Sequence, residues 1–190
     1  IRWGSASARI RAWTCGDEVA AARMVTGSRR CSISFFWFNG AASAEIYTDA
    51  GGWRLLPGVP VTPMLSADPN PADAYYSNDS HFWLLPAGNG KVFHAGPGYT
   101  MHWIDTRGNG SVTPVGPRGD DEFSINGNVT LYDAGRILKN GGAGGYDSIN
   151  ANANSYVIDI NAGVSVRKLA PMAYPRAFHN SVVLPNGQVL

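Results

Sequence analysis

The sequence predicts an all-β chain built from recurring four-stranded sheets, on three observations. Turn formers are abundant, with 23 glycines and 12 prolines in 190 residues. Charged residues reach only 15%, against roughly 25% in an ordinary soluble domain, while 44% apolar and 11% aromatic content supplies a core and excludes a disordered chain. A strand, a glycine turn and a second strand ending in glycine also return at nearly even intervals.

The copies of that unit can be followed along the chain. The first is Phe35-Phe36-Trp37-Phe38-Asn39-Gly40. The second is Phe82-Trp83-Leu84-Leu85, leading through Asn89-Gly90 to Lys91-Val92-Phe93-His94-Ala95-Gly96. The third is Val129-Thr130-Leu131-Tyr132, leading through Gly135 to Arg136-Ile137-Leu138-Lys139-Asn140-Gly141-Gly142. The fourth is Ser181-Val182-Val183-Leu184, turning at Pro185-Asn186-Gly187 into Gln188-Val189-Leu190. Turn glycines fall near 40, 90, 135 and 187, spacings of 50, 45 and 52. That period is the length of a four-stranded propeller blade of the WD40 or kelch kind. Asn-Gly and Gly-Gly pairs between apolar runs mark tight hairpins, whose turns need positive φ.

Each period also holds a third strand (Ala44-Glu45-Ile46-Tyr47, Met101-His102-Trp103-Ile104, and residues 155–160) and a fourth (Trp53-Arg54-Leu55-Leu56, Ser111-Val112-Thr113-Pro114-Val115, and residues 164–169). Residues 9–14 read as the third strand of a preceding blade. Residues 17–24 have helical composition but are too few for a stable helix and read as loop. The aromatics Trp37, Trp83, Trp103, Tyr132 and Tyr156 are expected between blades. The fold class is thus all-β, a partial β-propeller of about three to four four-stranded blades, with residues 1–190 forming part of a single propeller domain; the resemblance described below implies the kelch type.

Charge and cysteine content narrow the function. A net charge of +1 provides no electrostatic footprint for nucleic acid or an anionic membrane, and no apolar run of 18 residues is present to form a transmembrane helix. Cys15 and Cys31 are compatible with either a bridge or two thiols. The termini read as those of a fragment cut at both ends. His94 and His102 lie eight residues apart across a Gly-Pro-Gly turn, with no third ligand at recognised spacing. The glycines of 141–145 lack the Lys-Ser/Thr and the following helix that a phosphate cradle requires. Three N-glycosylation acceptors occur, at Asn78, Asn109 and Asn128.

Tyr174-Pro175-Arg176-Ala177-Phe178-His179-Asn180-Ser181, Gly135-Arg136-Ile137-Leu138 with Gly141-Gly142 and Tyr146, Lys91-Val92-Phe93-His94-Ala95-Gly96-Pro97 and Val61-Thr62-Pro63-Met64-Leu65 occur in this order and spacing. Together they resemble the galactose oxidase and glyoxal oxidase family, the copper radical oxidases. The resemblance runs from about residue 23 to 190. It implies a seven-bladed propeller, a secreted enzyme, and copper for the full-length protein. It also implies small aldehydes or primary alcohols as substrates, with O2 reduced to hydrogen peroxide.

Carried over residue by residue, the resemblance places no catalytic residue and no metal ligand within residues 1–190. The copper ligands are expected beyond Leu190, and His179 is the structural cousin of one. Cys31 occupies the position of the expected cross-linked tyrosine, which leaves two readings: local divergence with loss of the radical site in this version, or a reading-frame error in the source sequence. Tyr146, Asp147 and His81 map to the substrate pocket. Ser77 replaces an arginine that binds sugar hydroxyls, which favours a smaller aldehyde over galactose. Two function classes follow: part of a copper radical oxidase, inactive by itself, or a non-catalytic kelch-type scaffold binding a partner or carbohydrate through its loops.

Overall fold

The computed structural model describes residues 10–15, 30–35, 43–64, 82–122, 124–145 and 150–190, the first two stretches as backbone. Three four-stranded antiparallel sheets follow one another along the chain. The first holds β1 (Ile10–Cys15), β2 (Arg30–Phe35), β3 (Ser43–Thr48) and β4 (Gly52–Pro60). The second holds β5 (Trp83–Pro86), β6 (Lys91–Gly96), β7 (Thr100–Asp105) and β8 (Ser111–Pro117). The third holds β9 (Asn128–Asp133), β10 (Arg136–Asn140), β11 (Ser155–Asp159) and β12 (Ser165–Lys168). In every sheet the spatial order equals the chain order, so each is a simple meander.

Short turns make the meanders. Between β5 and β6, Asn89 sits at φ 51° and the Lys91 N–H donates to the Gly88 carbonyl at 2.9 Å. Asparagine tolerates that left-handed geometry better than most residues. Between β7 and β8, the Gly110 N–H closes the turn onto the Arg107 carbonyl at 2.9 Å.

The sheets stack through their faces. β5 lies beside both β1 and β9, and β4 beside β8, so first strands neighbour first strands and fourth strands neighbour fourth strands. One apolar layer joins Ala44, Ile46, Leu56 and Val59 of the first sheet to Val92 and Ile104 of the second. A second layer joins Trp83, Leu85, Phe93 and Met101 to Ile137 and Ile158 of the third sheet. The middle sheet is therefore covered on both sides, which is why β6 is buried from Val92 to Gly96, with His94 its one polar side chain there, rather than alternating. Each fully buried aliphatic or aromatic side chain in these layers contributes about 1.5–3 kcal/mol. An isolated sheet has one such layer at most, so repetition supplies the stability.

The expected aromatics divide. Trp83 and Tyr156 are buried, and Trp103 is partly buried against the second layer. Tyr132 is only half-buried, and Trp37 lies outside the described residues. Residues 17–24 lie outside them as well.

Several sequence expectations need correction. The strand read at residues 9–14 is not the third strand of a preceding blade. It is β1, which pairs antiparallel with β2, Ile10 opposite Phe35, and so opens the first sheet. Alternation reveals a strand but not its partner. β2 ends at Phe35, so only one residue of the Phe35-Phe36-Trp37-Phe38 run lies in it. Two of the fourth strands run longer than expected, β4 continuing to Pro60 past a register shift beside Ser43 and Ala44 and β8 to Pro117, whereas β12 is shorter than residues 164–169. The fourth copy of the repeat folds as a short hairpin with one bridge, Val183 opposite Val189. Its Leu184 N–H donates to the Gln188 carbonyl at 2.7 Å.

Candidate functional site

In a meander, the links between strands two and three and the links from one sheet to the next share one end. That end holds the β6–β7 turn, the β8–β9 link, the β10–β11 link and the link between β4 and β5. Tyr146 and Asp147 belong to the β10–β11 link, and Ser77 and His81 to the β4–β5 link. All four lie outside the described residues. Cys31 is placed differently. It is the second residue of β2, opposite Thr14 and Thr48, next to the β3–β4 turn and hence at the other end of the sheet. Cys15 opposes Arg30, so the two cysteines are not cross-strand partners. Of the expected site residues, the described ones include Cys31 alone.

What the described residues do bring together is a charged cluster that sequence reading did not single out. Arg118, just after β8, is fully buried and spends all five of its N–H donors. Nε donates to Asp121 Oδ2 at 2.8 Å. One terminal nitrogen donates to the Ala95 and Gly98 carbonyls, each at 2.8 Å. The other donates to the Pro97 carbonyl at 3.1 Å and the Asp121 carbonyl at 3.0 Å. The guanidinium also lies over the Trp83 ring, 5.2 Å from its centroid. This planar fork matches a cup of carbonyls in a way a lysine could not. It ties the β6–β7 turn to the β8–β9 link.

Asp121 extends the tie to the third sheet. Its Oδ2 accepts from Ser124 Oγ at 2.6 Å, and Lys139 Nζ of β10 lies 2.5 Å from the same oxygen. Asp121 Oδ1 meets no donor among the described residues. Burial pushes the Asp121 carboxyl up, but the charges of Lys139 and Arg118 outweigh it and hold the group below its ordinary value. Burial pulls the Lys139 ammonium down to about 8, against the opposing pull of Asp121. Next to this triad, the Tyr156 hydroxyl donates to Asp120 Oδ1 at 2.7 Å, and Lys168 Nζ lies 2.5 Å from Asp120 Oδ2. Hydrogen bonds from Lys168 and then Tyr156 lower the Asp120 carboxyl to about 2.

This cluster holds loops and leaves no Arg118 donor for a ligand. A sequence signal for it existed. In β10 the alternation puts Ile137 and Lys139 on one face, and Ile137 is buried. A lysine at a core-facing strand position calls for a buried carboxylate.

His94 and His102 do meet. They are cross-strand partners on β6 and β7, both buried, with Nδ1 atoms 3.3 Å apart. The contact requires one Nδ1 to donate and the other to accept unprotonated, so the two rings are not both charged. Burial, then the charges of His102 and Arg118, holds His94 well below its ordinary value, and burial lowers His102. Among the described residues no group of three His, Cys, Asp or Glu is placed to hold a metal ion. The described residues thus do not by themselves fit a copper centre.

The histidine pair has a consequence for acid stability. Folded-state values are depressed, so below about 6.5 the unfolded chain binds more protons than the folded one. Stability is whole above that pH and falls as pH drops towards the folded-state values, by up to about 1.4 kcal/mol per pH unit for each histidine. His179, also lowered by burial, acts in the same direction. Urea midpoints measured from pH 7.5 to 5 are expected to fall, and to fall less steeply in His102→Gln. Equal slopes would contradict this.

The glycine run after β10 is structural. The Gly141 N–H donates to the Asn154 carbonyl at 2.9 Å and the Gly142 N–H to the Arg176 carbonyl at 2.8 Å, so neither remains for phosphate. His179 Nε2 donates to Asn140 Oδ1 at 2.9 Å beside them.

Three meander sheets stacked face to face, first strands together, define a sector of a β-propeller. Two galactose oxidase sequences of Gibberella zeae, one of them from strain PH-1, are each 33% identical to the chain over 194 residues, which is 92% of this chain and 28% of the relative. A fungal alcohol oxidase of the AA5 family, solved in complex with copper, is 36% identical and superposes with a TM-score of 0.76 over 84% of this chain and 34% of that one. No protein-family model matches. Over most of its length, then, the chain is homologous to galactose oxidase and the AA5 copper radical oxidases. It spans under a third of the length of the curated relatives it matches.

Proposed function

We propose that the chain is part of the propeller of a secreted copper radical oxidase that oxidises primary alcohols or small aldehydes. An alcohol and O2 give an aldehyde and hydrogen peroxide; a hydrated aldehyde and O2 give an acid and hydrogen peroxide. The observation that carries this reading is the sustained similarity, 36% identity with a TM-score of 0.76, to an AA5 alcohol oxidase in complex with copper. Copper supplies the one-electron redox chemistry in this proposal, and its ligands lie elsewhere in the whole protein. This chain supplies blades and the loops between them. Ser77, where the resemblance puts an arginine, supports a substrate smaller than galactose, because a lost fork of donors no longer rewards sugar hydroxyls.

The test is the whole protein loaded with copper and offered glyoxal, methylglyoxal, a simple primary alcohol and galactose. Peroxide is expected from the first three in preference to galactose. No peroxide from any of the four favours the scaffold reading, for which the tyrosine missing at Cys31 is the argument.

A further inference from the structure

Two of the three glycosylation acceptors lie among the described residues, and the fold treats them oppositely. Asn109 stands in the turn between β7 and β8, and both it and Ser111, which completes the acceptor triplet, are exposed. The turn is anchored through its backbone, because the Asn109 carbonyl accepts the Gly58 N–H of β4 at 2.8 Å. Its side-chain amide makes no hydrogen bond to other described residues, so nothing needs breaking to extend it.

Asn128 opens β9 opposite Asn140 of β10, and its Nδ2 is buried without a partner among the described residues. A sugar on that nitrogen would occupy space the folded sheet fills. A chain modified there could not close the third sheet as seen.

We infer that Asn109 is an N-glycosylation site of the folded protein and that Asn128 is not. The inference rests on the secretion reading above. The donor is an oligosaccharide linked through a diphosphate to a lipid carrier. The Asn109 Nδ2–C1 bond forms, the sugar C1–O bond to the diphosphate breaks, Nδ2 loses one proton, and the lipid diphosphate leaves. A hydrophilic group at this turn stays in water and costs the core nothing.

The experiment sends the protein through a eukaryotic secretory pathway behind a heterologous signal peptide. Glycopeptides of the secreted, folded product are then mapped by mass spectrometry. Most molecules are expected to carry a glycan on the Asn109 peptide and none above background on the Asn128 peptide. Asn109→Gln and Ser111→Ala are each expected to abolish the first. The Ser111→Ala variant leaves the turn residues intact, so folding and modification are read separately. A bare Asn109 peptide in folded secreted protein, or a glycan on Asn128, overturns the inference. The forced route makes this independent of native address. Finding the native protein inside its source cells would defeat the secretion reading alone.

Discussion

Asp121→Ala will destabilise the folded protein by about 3–5 kcal/mol, the usual cost of breaking a buried ion pair by deleting one partner. The carboxylate stands between two buried cations, Arg118 and Lys139. Deleting it leaves both charges in place without their counter-ion, and Ser124 Oγ loses its acceptor. Arg118 would keep four of its five hydrogen bonds, because those go to backbone carbonyls. Lys139 would keep only the face of the Tyr156 ring, 5.5 Å from its centroid.

Removing the lysine is a different case. Lys139→Met takes away a cation that burial already disfavours and leaves Asp121 paired with Arg118. Its cost is expected to be smaller than that of Asp121→Ala by at least about 1 kcal/mol, the worth of an ordinary buried hydrogen bond. In the double variant, the methionine removes one of the two orphaned cations, so the two effects combine to less than their sum. Urea unfolding of the four proteins measures this. Additive effects, or a lysine variant worse than the aspartate variant, would refute the assigned roles.

The legible part of this protein was local. Asn89-Gly90, Gly135 and Asn186-Gly187 announce hairpins because each turn's geometry depends on two or three adjacent residues. His94 and His102 were visible as a pair because a short turn puts residues eight apart opposite one another. β1 was misplaced because a strand's alternation is the same whichever neighbour it pairs with, and its partner begins 15 residues beyond its end. Arg118, Asp121 and Lys139 were missed for a related reason. They meet only when the β8–β9 link folds over β10, and no adjacent residues encode that. Of the expected site residues, Cys31 alone is described, and it stands at the opposite end of its sheet from the links that carry the rest.

Gly142→Ala will be nearly as damaging, and for a reason separable from backbone strain. Gly142 has φ +111°, a conformation costly for any residue with a Cβ, and an added Cβ would lie 2.8 Å from Ser124 Cα and 2.9 Å from its carbonyl carbon and oxygen. Those atoms are backbone, so no rotamer change relieves the contact. Ser124 is also the residue that donates to Asp121, and the neighbouring Ile125 exchanges hydrogen bonds of 2.9 Å in both directions with Ala143. Pushing Ser124 away therefore strains the bridge between the β8–β9 link and the glycine turn as well as the buried triad. Gly163 separates the two costs: its φ is +103°, almost the same, but a Cβ there meets nothing within 4 Å. Gly163→Ala should cost only the conformational part, about 1–3 kcal/mol. Gly142→Ala should cost a further 1–3 kcal/mol or so for overpacking. Equal losses in the two variants would mean that φ alone matters, and that the close approach of the glycine turn to Ser124 does not help hold the second sheet to the third.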